Sequence, residues 1–233
     1  MAPKKDKSKI EEEAVANLST GWQKSKMSES AVQELENMGL LPSNAVIQWR
    51  AGEGEDYPME GTLETVVFRD FMERGLALPV SEFFYDLLQF WGIQLHHLTP
   101  QSILYLSIFT HFCEAFLGIL PHFHLFQHFF ILVPIPNATK TAVVGGCELI
   151  LRPETRDEYL VYDPAGKGFE WKKFWFHVGN FESPLPERVP GAPKSKKTGR
   201  VMDLVASKLS ASSKPLRIGK IKESPVIMWS SPL

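Results

Sequence analysis

Between Leu87 and Thr139 the chain carries a single formal charge, Glu114. A stretch this long, dense in Phe, Leu and Ile, cannot leave most of its surface in water, so any fold of this chain must bury it. About 20 apolar residues make a membrane span, and residues 103–120 approach that pattern. Thr110, His111 and Glu114 fall inside the window, and a carboxylate at the bilayer centre costs roughly 2.5–3.5 kcal/mol on insertion scales. The segment therefore reads as the buried helical core of a globular domain, with no membrane span.

Helix-terminating residues divide this core. Ser30 with Gln33 fits a capping box opening a helix over 30–41, closed by Gly39. Residues 45–50 read as a strand or extended connection, and the Gly-, Pro- and acid-rich residues 51–62 as a loop. A short strand at Val66–Phe68 is expected to run into a helix ending at Gly75. Ser81 caps a helix that carries Phe83, Phe84, Leu87, Leu88 and Trp91 and stops at Gly92. Thr99 and Pro100 suit the cap and first turn of a helix running to Leu117, with Gly118 behind it. Pro121 is expected to open another through Ile131. Strands are then expected at Ala142–Val144 with Leu149–Leu151, at Tyr159–Tyr162 and at Phe174–Val178, with turns at Gly145-Gly146 and Pro164–Gly168. The fold class is α+β: a compact helical core of about four helices followed by a small antiparallel sheet.

The formal net charge of -2 conceals a segregated layout. Residues 1–9 are net +3, residues 10–187 net -13, and residues 188–222 net +9. An acidic body sits between two basic arms. The stretch 183–200 contains four Pro and few large apolar residues, which is linker composition. Val201, Leu204, Val205 and Leu209 fall at helical spacing, enough for one short amphipathic helix that would be marginal alone. The expected organisation is a disordered arm at 1–28, a folded domain at 30–182 and a mostly disordered tail at 183–233. The opening MAPKKDKSKIEEE has no apolar h-region, and two cysteines do not make a disulfide framework. Both point to an intracellular protein, nuclear or cytoplasmic and not secreted.

Several groups invite a chemical reading. His96, His97, His111, His122, His124 and His128 lie close in sequence, and His124 with His128 has the spacing of two zinc ligands on a helix. Gln127 stands between them and cannot act as a general base. The competing reading, that these rings pack in a Phe-rich layer, is favoured. His111 and Glu114 form an i, i+3 pair, either an acid–base dyad or, preferred here, a buried polar pair. Cys113 reads as a core residue. No G-x-S-x-G elbow and no phosphate-binding glycine loop is present, and the acids at 53–64 and 154–158 read as solvated loop charge. Trp171–Phe176 interleaves aromatics with Lys172 and Lys173, a pattern that stacks single-stranded bases, but its apolar density favours the core. Lys194, Lys196, Lys197 and Arg200 are the candidate nucleic-acid contacts.

Three blocks carry a resemblance. They are Arg74-Gly-Leu-Ala-Leu-Pro79, Gly92-Ile-Gln-Leu-His-His-Leu-Thr-Pro100 and Cys113-Glu-Ala-Phe-Leu-Gly-Ile-Leu-Pro-His-Phe123. With Gly145-Gly146 and Gly168–Val178, they resemble the plant domain labelled "putative gypsy-type transposon" or "transposase, gypsy type", over about residues 30–180. Phe126 and Gln127 depart from the family's usual Trp and Arg. The resemblance implies a gag-like N-terminal region of a plant retroelement polyprotein with no established activity. Strand transfer needs carboxylates that hold two metal ions, and the sequence shows no such spaced set, no Tyr-x-Asp-Asp and no Asp-[Ser/Thr]-Gly. The expectation is a non-enzymatic domain without cofactor or small-molecule substrate. It would associate with itself and touch RNA or DNA weakly and non-specifically through its basic arms. The alternatives are a metal-dependent enzyme using the His/Glu cluster, and a decayed element fragment with no selected function.

Overall fold

Ser28, two residues before the expected cap, starts the first helix. Its hydroxyl accepts the Ala31 N–H, while the Ser30 hydroxyl turns to Ser28. The computed structural model describes residues 21–59, 63–135, 143–156, 159, 170–180 and 185. Helix α1 spans Glu29–Asn37, and Gly39 takes the left-handed conformation (φ 72°) that turns the chain away. Strands β1 (Trp49–Arg50) and β2 (Glu64–Phe68) follow, and β2 leads directly into α2 (Arg69–Glu73). Helix α3 (Glu82–Trp91) is capped by the Ser81 hydroxyl and stopped by left-handed Gly92. Helix α4 (Pro100–His111) is capped by Thr99, with Pro100 in its first turn. These capping residues act where their chemistry places them.

Downstream the structure departs from the sequence expectation. After His111 the backbone widens into a π-helical turn, Phe112–Leu117, ended by Gly118 at φ 63°. The wider turn presents Glu114 and Phe116 to solvent while Phe112 and Cys113 stay buried. Glu114 is therefore not the buried partner of His111: solvent satisfies a carboxylate that would be costly to bury unpaired. The next helix, α5, covers only Phe123–Phe129 and passes straight into strand β3 (Phe130–Pro134). Its partner is β4 (Cys147–Leu151), in antiparallel register from Phe130 opposite Leu151 to Pro134 opposite Cys147. The expected helix through Ile131, and the pairing of Ala142–Val144 with Leu149–Leu151, are both corrected. A short apolar run is ambiguous between helix and strand, and the ladder to β4 decides it.

The architecture is α+β, with five α-helices and two small antiparallel sheets among the described residues. The chain order is less simple than helices first and sheet after. Strand β5 (Trp175–Gly179) lies between β1 and β2, so the three-stranded sheet joins segments on either side of the helical core. Every residue of β5 is buried, as both faces of this central strand are covered. Trp22 stacks on Phe68 at 5.8 Å and meets Trp175 edge-on at 5.7 Å. A second aromatic layer holds α4, α5 and β3 together: Phe126 lies 5.0 Å from Phe109 and 4.8 Å from Phe130. Such pairs add about 0.5–1.5 kcal/mol each beyond their burial.

Residues 21–28, expected within the N-terminal arm, are built into the fold. Trp22 and Met27 are core residues, and the Ser25 hydroxyl donates to the Trp175 carbonyl at 2.6 Å. Leu185, expected in the tail, is also buried. Residues 1–20 and 186–233, including Lys194, Lys196, Lys197, Arg200 and the spaced apolar residues 201–209, lie outside the described residues, as do most of the expected strand 159–162 and the turn 164–168. Among the described residues no helix is long and apolar enough to cross a membrane.

Candidate functional site

The best-organised polar constellation sits at the end of the three-stranded sheet. Antiparallel register sets Arg50 of β1 opposite His177 of β5, and Glu64 of β2 opposite Gly179. Glu55 reaches in from the following loop. The Arg50 guanidinium grips both carboxylates: Nε and Nη2 donate to Glu64 at 3.0 and 2.9 Å, and Nη1 donates to Glu55 at 2.7 Å. Nη2 also donates to the Met59 carbonyl at 2.8 Å, while the Met59 N–H donates to Glu55 at 3.1 Å. This pins the loop to the sheet, and planar, forked donation of this kind suits Arg rather than Lys.

His177 completes the cluster with no exposed surface. Its Nε2 lies 3.1 Å from Glu55 Oε2. An ionised carboxylate only accepts, so Nε2 carries the proton and Nδ1 of the neutral ring is a bare acceptor. Nδ1 stands 4.0 Å from Glu64 Oε2, beyond hydrogen-bond reach, and has no hydrogen-bond partner among the described residues. Burial first, then the Arg50 charge, hold the imidazole pKa below its ordinary value against the pull of the two carboxylates. For Glu55, burial pushes the pKa upward, but the Met59 N–H, Arg50 and His177 outweigh it and leave the carboxyl below its usual range. The sequence reading missed this cluster because it took the 53–64 acids as solvated. The available signal was a lone Arg50 after AVIQW and a lone His177 within WFHV: polar groups in apolar strands need partners.

The histidine cluster does not assemble. His96 and His97 are buried, with ring centroids 4.3 Å apart, and His97 Nδ1 accepts the Gln94 N–H at 3.0 Å. His122, His124 and His128 are exposed at or on α5. Among the described residues no group of three or more His, Cys, Asp or Glu is placed to hold a metal ion. Burial raises both thiols, Cys113 and Cys147, to about 11, which suits core cysteines. In the Trp171–Phe176 segment, Trp175 and Phe176 are core residues. Lys172 donates to the Val144 carbonyl at 2.8 Å and Lys173 pairs with Glu170 at 2.6 Å, so both ammonium groups are engaged within the fold.

Two surface features remain. A groove of about 310 Å³ runs between the chain at 75–81 and α4, with Leu76, Val80 and Leu106 on its apolar side and Thr110, His111 and Glu114 along the helix. Just beyond it Phe116 of the π-helical turn (59%) and, past Gly118, Ile119 (42%) and Leu120 (81%) are exposed. Neither this groove nor the smaller cleft beside Leu185 is lined by any of the four cluster residues.

Residues 66–134 match the model of the family described as "putative gypsy type transposon", the family named from the sequence blocks. The matched span runs from β2 to β3 and contains the whole groove; Arg50, Glu55, Glu64 and His177 lie outside it. No curated protein and no solved structure matches the chain.

Proposed function

We propose that this gypsy-type transposon-related chain is a non-enzymatic scaffolding domain. It associates with itself through apolar surface of the helical core and contacts nucleic acid weakly and without sequence preference through its basic arms. The observation that carries this reading is the charge layout: net -13 over residues 10–187 against net +9 over residues 188–222. Phosphate is repelled by the first and attracted by the second. Phe116, Ile119 and Leu120, close in sequence, are exposed apolar side chains of the kind that mark protein contacts. The non-enzymatic part of the proposal draws on the Arg50–Glu55–Glu64–His177 cluster, in which the guanidinium and both carboxylates are engaged and the imidazole has no exposed surface.

The test is binding of the full chain to unstructured single-stranded RNA across a salt series. Each phosphate contact contributes about -0.7 to the log–log slope on single strands, so five contacts give about -3.5. Replacing Lys194, Lys196, Lys197 and Arg200 together by Ala should flatten that slope by nearly 3 by the same rule, while Lys172→Ala leaves it unchanged. A slope untouched by the four replacements would remove the tail from the proposal. Light scattering of Leu120→Lys tests the other half: self-association that persists unchanged in this variant would exclude the 116–120 surface.

A further inference from the structure

The two clefts share Pro79 and Val80, and Leu185 sits in the smaller of them. Leu185 is only 4% exposed, and the Asn180 side chain holds it at both ends, accepting its N–H at 2.7 Å and donating to its carbonyl at 3.1 Å. Leu185, the last of the described residues, therefore sits in the cleft next to the larger groove. We propose that this groove is the docking site for the chain's own segment Val201–Leu209.

Three observations select that occupant. The first is reach. Residues 186–200 span up to about 50 Å when extended, and the cleft that holds Leu185 borders the groove at Pro79 and Val80. The second is pattern. Val201, Leu204, Val205 and Leu209 repeat at i, i+3, i+4 and i+8, the anchor spacing of a helix laid into an apolar groove. A helix this short is marginal alone and gains stability from an apolar partner. The third is charge. The segment itself is neutral, with Asp203 against Lys208, but it lies within a tail of net +9, and the groove carries exposed Glu114 on a body of net -13. Tethering also gives the segment an effective concentration in the millimolar range, far above that of a second free copy.

Docking uses the apolar face of 201–209, whereas the phosphate contacts proposed above use Lys194–Arg200. The inference therefore stands apart from the nucleic-acid reading, and its test contains no nucleic acid. A fluorescent peptide of residues 199–212 is titrated with two full-length proteins: the unsubstituted chain, and a chain carrying Val201→Asp, Leu204→Asp and Val205→Asp. The substituted chain, its groove vacated, should bind the peptide with micromolar affinity. The unsubstituted chain should bind at least about tenfold more weakly, because its own segment competes from millimolar effective concentration. Thr110→Arg and, separately, Ala77→Trp, both at groove positions with access to solvent, should abolish peptide binding to the tail-substituted chain while leaving its melting temperature in place. Absence of binding to the tail-substituted chain, equal binding by both chains, or indifference to both groove variants would each overturn the proposal. So would a dimer of the unsubstituted chain, seen by light scattering, that either groove variant dissociates, since that assigns the groove to a second copy.

Discussion

His177 shows how one residue couples sheet pairing to pH. Its pKa in the folded chain lies below the ordinary 6.5, so the unfolded state takes up the proton first as pH falls. The stability that depends on the neutral ring is complete above about pH 6.5 and is lost as pH falls toward the lowered folded value, with a slope of at most about 1.4 kcal/mol per pH unit. Glu55, also lowered from its reference of 4.5, adds a second loss that begins near that value and continues below it. Arg50, Glu55 and Glu64 are the charged groups hydrogen-bonded or ion-paired within the cluster. Urea melts between pH 8 and 5 should show the first loss, and His177→Gln should be less stable at pH 8 yet flatter across the same range. A variant with the original slope would show that His177 is not the titrating group. Gly52 makes a simpler case. A Cβ there would stand 2.8 Å from both the Trp175 ring and its carbonyl oxygen, so Gly52→Ala should destabilise the chain by about 1–3 kcal/mol through overpacking, readable in the same melts.

At the scale of elements, the helix ends follow local chemistry and the strands do not. Ser81, Thr99, Gly92 and Gly118 sit at the boundaries their side chains or φ angles dictate. Thr99→Ala removes the acceptor for the Ser102 N–H, a 3.2 Å bond, and should cost about 1 kcal/mol. Thr99→Ser should restore most of it, and chemical denaturation of the pair checks this. The misreading at Phe130–Pro134 has a physical cause. Phe-Ile-Leu-Val is acceptable to either element, and its choice depends on pairing with Cys147–Leu151, further along the chain. The π-helical turn was equally illegible, because only the packing of Phe112 and Cys113 fixes how far the backbone must unwind before Gly118.

On the scale of the whole molecule, the segment before α1 belongs to the core. Trp22 contacts Phe68, His96 and Trp175, one residue from each of three segments distant in sequence. Trp22→Ala should therefore cost about 3–5 kcal/mol, and thermal melts of the full chain would reveal it. A change below about 0.5 kcal/mol, the range of ordinary surface substitutions, would return residues 21–28 to the arm. The sequence alone determined the charge segregation, the α+β class, the likeness to the gypsy-type family over part of the chain and most of the helix caps, because each rests on composition or on contacts within a few residues. It misjudged Glu114 and the acids at 55 and 64 because burial of a charge depends on what arrives from elsewhere in the chain. Arg50 and His177 lie 127 positions apart in sequence, and only strand β5, returning between β1 and β2, brings His177 to the cluster with Arg50, Glu55 and Glu64. Local propensity carries no information about that return, since hydrogen-bond partners across a sheet are set by the closure of long loops and the packing that repays it.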